Sequence, residues 1–294
     1  MMSLLHLPVL LLLAAPSSTV AAAAVAEGDA HYERRAEGAH GAVADPDQVE
    51  AAMSAYRRAL TLDPRSLEAL IGLLRAMFFR GGFCDMAPAQ QMKIFAEAKR
   101  LADDTVQTLE RSVGSPKRPA RIKALRAVPV ATRVYFWAAV SWGQWAADHK
   151  IAAAWQGAAV RIRDLAQTVV DLDPTMDQGS GYLVLGRLHA ECPRIPILTH
   201  WISRTQGVAY LRQALAIGPK NTPNMYFLAD AILDNEPAHR DEAQRLLERC
   251  ASAEPRWGYL VEDAHYAALA RGRLAAIRAD RSNVHAPVMG PAPL

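Results

Sequence analysis

His189, Glu191 and Cys192 stand together in "HAECP", residues 189–193. An H-x-E beside Cys and Pro could open a zinc site that activates water. Such a site takes two more ligands from a downstream P-C-x-x-C. The only later cysteine is Cys250, which stands alone, so zinc finds no closed ligand set. No H-E-x-x-H, G-x-S-x-G, G-x-G-x-x-G or phosphate loop occurs. Asp103-Asp104 and Glu262-Asp263 are sequence neighbours in helical patterns. Adjacent side chains diverge around a helix axis, so these carboxylates read as solvated faces rather than acid/base pairs. The expectation is therefore no catalytic residue, no metal, no cofactor and no enzyme.

Two features could bind instead. Tyr135, Phe136, Trp137, Trp142 and Trp145 crowd into "RVYFWAAVSWGQWAADHK", residues 133–150, and Trp155 follows. Four of the six tryptophans thus lie within 19 positions. They cannot share one helical face, so this helix is apolar nearly all round. Three readings fit: buried core, the lining of an apolar cavity, or a partner surface. In the cavity reading Tyr135, Trp137 and Trp142 face the ligand. The second feature is Arg187, on an apolar turn of "YLVLGRLHA", residues 182–190. Its guanidinium could hold a ligand carboxylate in two-point contact, or pair with Glu191 four residues on.

The elements that must position these residues announce themselves through repeated endings. "ALTLDP", "VVDLDP", "ALAIGP" and "CASAEP" end at Pro64, Pro174, Pro219 and Pro255. Counting back 5, 8 and 12 residues gives Ala59, Tyr56 and Ala52 before Pro64. The same offsets give Val169, Ala166 and Ile162 before Pro174, and Ala214, Leu211 and Gly207 before Pro219. Before Pro255 they give Cys250, Leu247 and Ala243. Steps of 3 and 4 place each trio on one helix face. Small residues there let a neighbouring helix approach, and the proline ends the helix. This is the second-helix pattern of a tetratricopeptide repeat. Between Pro64 and Pro174 lie 110 residues, close to three repeats of about 34.

The fold class is therefore all-α: stacked helical hairpins in a degenerate tetratricopeptide-repeat array of roughly eleven helices. Long helical patterns cover 86–113, 129–150 and 152–172. Arg80-Gly81-Gly82 is expected to close a helix, and 114–119 to be a loop. The basic run from Lys117 to Lys123 reads as part of that solvated loop. With 51% hydrophobic residues in 294, the chain can bury a large core. A net charge of +3, scattered, argues against a nucleic acid partner.

The first residues read as a signal peptide, 1–26. An apolar core of export length precedes an alanine ladder, with cleavage after Ala24 or Ala26. The core is too short to span a bilayer, so no stable membrane span is expected, although a retained anchor stays open. A helical domain follows over 27–280, with a proline-rich disordered tail over 281–294. Cys84, Cys192 and Cys250 could supply one disulfide with one thiol over, or three small buried hydrophobes.

"RVYFWAAVSWGQWA", "GYLVLGRLHAECPRIPILTHW" and "GVAYLRQALAIGPKNTPNMYFLADAIL" follow one another in an order that resembles the T component (TatT family) of TRAP transporters. The likeness covers roughly residues 30–255. It implies a periplasmic accessory protein with cryptic tetratricopeptide repeats. Such a protein forms homo-oligomers with a central apolar pore and docks an extracytoplasmic solute-binding protein, with an apolar organic acid or lipid as cargo. The other function in view is a generic exported repeat scaffold that binds a peptide segment of a partner.

Overall fold

A computed structural model describes residues 17–114 and 117–284, which form thirteen α-helices and one 3-10 turn at Pro237–His239. Among the described residues the only β pairings are two isolated bridges, His40 with Val43 and Ala44 with Cys84. The molecule is all-α, built from antiparallel helical hairpins. No helix among the described residues is long and apolar enough to cross a membrane.

The chain opens with α1 (Ser17–Glu33), α2 (Asp47–Leu62), α3 (Leu67–Phe83) and the long α4 (Pro88–Val113). Then come α5 (Arg118–Leu125), α6 (Ala131–Asp148), α7 (Lys150–Trp155), α8 (Ala158–Leu172) and α9 (Met176–Glu191). The last group is α10 (Arg204–Ile217), α11 (Thr222–Asn235), α12 (Arg240–Ala251) and α13 (Leu260–Val284). Consecutive helices pack in pairs, and α6 lies across α3, α4, α8 and α9.

The four prolines lie just past the ends of α2, α8, α10 and α12. Their counted-back trios are all buried. Ala52, Tyr56 and Ala59, like Ala243, Leu247 and Cys250, have no accessible surface at all. In two of the four trios the large slot meets a glycine on a facing helix: Tyr56 of α2 lies against Gly28 of α1 and Gly72 of α3. A Cβ added to Gly186 of α9 would come within 2.5 Å of the Leu211 Cγ of α10. At these two sites the large side chain lies on bare backbone, and the helices approach closely.

Three local expectations give way. The run 152–172 is two helices, because Gly157 takes a left-handed φ of 66° between α7 and α8. A glycine bears that conformation without the Cβ clash other residues meet. The basic run 117–123 is mostly helix α5, not loop: Pro119 sits in its first turn, where a proline is tolerated. Arg118 reaches Asp171 at 2.7 Å and Arg121 reaches Glu110 at 3.5 Å. Finally, α3 runs through Gly81-Gly82 to Phe83. Gly81 serves packing there, since a Cβ would strike the Phe95 ring of α4 at 2.7 Å.

Residues 1–16 of the expected signal peptide and 285–294 of the expected tail lie outside the described residues. Ala24 and Ala26 both fall inside α1, and Ala24 packs against Ala59 and Ala69. At the other end α13 continues helical to Val284. All three cysteines are free thiols; Cys84 and Cys250 are buried and Cys192 is half-buried.

The two ends of the array meet. Arg35, just after α1, donates to Glu262 Oε1 of α13 from Nε (3.1 Å) and Nη2 (2.8 Å). It also donates to the carbonyls of Gly258 and Tyr32, and its guanidinium lies 4.4 Å from the Tyr32 ring centroid. The His265 ring of α13 meets Phe83 edge-on at 5.3 Å.

Candidate functional site

Helix α6 has one face crowded with aromatics and another of small residues. Tyr135 and Trp142, seven apart, share the first face and turn toward α4. The Tyr135 hydroxyl donates to Glu110 Oε1 at 2.9 Å. Burial, with the Glu110 carboxylate adding, pushes the Tyr135 phenol well above its usual range. Trp142 donates from Nε1 to Asp103 Oδ1 at 3.0 Å. Lys99 Nζ sits 4.0 Å from the Trp142 ring, and Arg161 and Lys99 neutralise Asp103 at 3.3 and 3.6 Å. Trp137 packs between Phe78 of α3 and its neighbour Phe136, at 5.7 and 5.0 Å between rings. These three side chains have protein partners on the sides where the cavity reading puts a ligand.

The small-residue face of α6 borders a cavity of about 570 Å3 enclosed by α6, α7, α8, α9 and the loop after α9. Val140, Gly143, Gln144 and Ala147 line it. Their steps of 3, 4 and 7 form one helical stripe. Opposite stand Ala153 and Ala154 of α7 and Ala159 and Ile162 of α8, with Val184 and Leu188 of α9. Alanines facing alanines and a glycine across helices do not reach one another, and space remains between them. A Cβ added to Gly143 would meet nothing within 4 Å. Such a volume and such walls suit a small apolar ligand.

Of the four residues singled out from the sequence, Arg187 alone lines this cavity; Tyr135, Trp137 and Trp142 do not. Helix α6 borders this cavity through Val140, Gly143, Gln144 and Ala147 and carries Tyr135 and Trp142 on another face. Arg187 donates to Glu191 from Nε (2.8 Å) and Nη2 (3.1 Å), and lies 3.9 Å from the Phe227 ring of α11. The intrahelical pair and the cavity position thus coexist. Lys150 is the other cation of the lining, and no carboxylate of the described residues pairs with it. The stripe 140-143-144-147 was visible in the sequence as small residues at helical spacing, but the bulky neighbours masked it.

The loop from Cys192 to Ser203 closes one side of the cavity through Cys192, Pro193, Ile195 and Thr199. Thr199 ties it internally: its hydroxyl accepts from the Ile195 N–H (2.7 Å) and donates to the Pro193 carbonyl (2.6 Å). His189 anchors its far end, its Nδ1 accepting from the Ser203 N–H at 3.0 Å. That role, with Trp201 edge-on at 5.4 Å, makes His189 a loop anchor. Burial holds its pKa below the ordinary 6.5, and Arg163 adds to the shift. Arg204 donates to the carbonyls of His189 and Ala190 at 2.8 and 2.5 Å, closing the end of α9.

A second cleft, near Arg57, Arg58 and Arg80, offers no free cation, since each guanidinium already holds a carboxylate: Glu97, Glu27 and Glu50. No family model matches the sequence, and neither does any curated protein.

Proposed function

We propose that the protein works by binding rather than by catalysis. In this reading it is an exported accessory protein that holds an apolar small molecule in the α6–α9 cavity and exchanges it with a solute-binding protein. This is the role implied by its resemblance to the T components of TRAP systems. The cavity carries the proposal: about 570 Å3, walled mainly by alanine, valine, leucine and isoleucine, with Lys150 available to an acidic end while Arg187 holds Glu191. The tetratricopeptide frame behind it draws support from four prolines past four helix ends and from the buried small–large–small trios before them.

The test is titration with an apolar fluorescent probe such as an anilinonaphthalene, alongside native mass spectrometry of the protein as purified. The parent chain binds one probe per cavity. Gly143→Leu, whose side chain projects into open space, abolishes binding while keeping the helical circular-dichroism signal. Equal probe binding by parent and Gly143→Leu, or none by the parent, removes the cavity from the function.

A further inference from the structure

Among the described residues, four large apolar side chains are more than three-quarters exposed, and three of them stand on the segments that border this cavity, without lining it themselves: Ile151 (79%), Trp155 (85%) and Ile197 (89%). Ile151 and Trp155 lie one turn apart on α7, while Ala153 and Ala154 between them line the cavity. Ile197 stands in the loop after α9, whose Ile195 and Thr199 also line it. Ile197 has a left-handed φ of 70°, which is costly for a β-branched residue. The loop thus holds a strained backbone at a side chain that stays in water.

The two segments that carry these side chains hold cations and no carboxylate, although Glu191 also lines the cavity. Residues 150–157 and 192–203 contain no Asp or Glu, but carry Lys150, Arg194 and His200. Neither Lys150 nor Arg194 pairs with a carboxylate of the described residues; among them Arg194 donates only to the His200 carbonyl, at 3.1 Å. Asp148 and Glu191 stand just outside these segments, and Glu191 is neutralised by Arg187. An exposed tryptophan and isoleucines beside unpaired cations match a lipid interface: the apolar groups enter the headgroup layer and the cations meet phosphate.

We propose that the mouth of the α6–α9 cavity docks on a membrane surface bearing anionic phospholipid, through Ile151, Trp155 and Ile197 with Lys150 and Arg194. Docking stands on these side chains alone. Where the cavity also binds an apolar molecule, the two together let that molecule pass from lipid into protein without crossing water.

The experiment uses the full chain with Cys192→Ser and Ile151→Cys, labelled at the introduced thiol by a polarity-sensitive fluorophore, since Cys84 and Cys250 are buried. Vesicles are phosphatidylcholine alone or mixed with phosphatidylglycerol. The expected result is a blue shift with the mixed vesicles, reversed by salt, and little with phosphatidylcholine. Lys150→Glu with Arg194→Glu lowers partitioning at least about tenfold, and Trp155→Ser with Ile197→Ser does likewise. The Trp155→Ser, Ile197→Ser pair retains probe binding, and Gly143→Leu retains docking, so docking and cavity can fail separately. An unshifted label on vesicle-bound protein overturns the proposal, because another part of the chain then holds the lipid. A shift that grows with protein concentration without vesicles also overturns it, in favour of a second copy.

Discussion

Gly143 and Gly186 are both glycines inside helices, and their surroundings set them apart. Beside Gly143 there is open space; beside Gly186 there is the Leu211 side chain, 2.5 Å from where a Cβ would stand. Gly143→Ala should therefore raise stability by about 0.5–1 kcal/mol, from helix propensity alone. Gly186→Ala should lower it by about 1–3 kcal/mol, since α9 and α10 must part. Urea midpoints of the two variants check both signs, and a loss at Gly143 would mean that the space there is already filled. Tyr135, Trp137 and Trp142 teach a related lesson. Their number in one short stretch marks a helix packed against several others, α3, α4, α8 and α9. Aromatic content reports burial, however, and carries no sign of what lies opposite. That information sat in the alanines of α7 and α8, which are ordinary helix residues when read alone.

Among the elements, the loop after α9 depends on one neutral imidazole. His189 accepts the Ser203 N–H through Nδ1 and loses that ability when it takes a second proton. Burial lowers its pKa in the fold, so the stability it contributes is present above pH 6.5 and disappears as pH falls through the lower folded value. His265 is lowered by burial too and acts in the same direction. Glu262 is raised by burial and acts oppositely, its contribution being largest at low pH. The urea midpoint should fall between pH 7 and pH 5, and His189→Asn, which keeps an acceptor without the titration, should flatten the fall. An unchanged slope would separate His189 from the loop's stability. Element boundaries were less legible than elements. The proline endings marked α2, α8, α10 and α12, because proline acts locally. The break at Gly157 was hidden inside an alanine-rich run, where only the left-handed backbone distinguishes a hinge from a helix. Helix α5 was hidden by Pro119, which sits in its first turn.

For the whole molecule, the contact between Arg35 and Glu262 joins residues 227 apart in the chain. Their side chains are only 8% and 13% exposed, so removing one partner strands a buried charge. Glu262→Ala should cost about 3–5 kcal/mol. Arg35→Met with Glu262→Leu should cost far less, because both charges leave together. Calorimetry of the two variants decides it; similar losses would show that the neighbours, and not the pair, hold the ends. No pattern in the sequence announced this closure. Glu262 reads as part of a solvated helix face, and only the path of the intervening helices brings Arg35 to it.

That clasp also changes how the array can deform. A stack of helical hairpins with free ends behaves as a spring, able to lengthen or unwind by small rotations shared among all its repeats. Fastened at Arg35 and Glu262, with His265 against Phe83, the coil has lost its softest mode of stretching. Compliance must then come from inside the loop of helices. The six-residue α7, held between His149 and the left-handed Gly157, is the segment best suited to supply it.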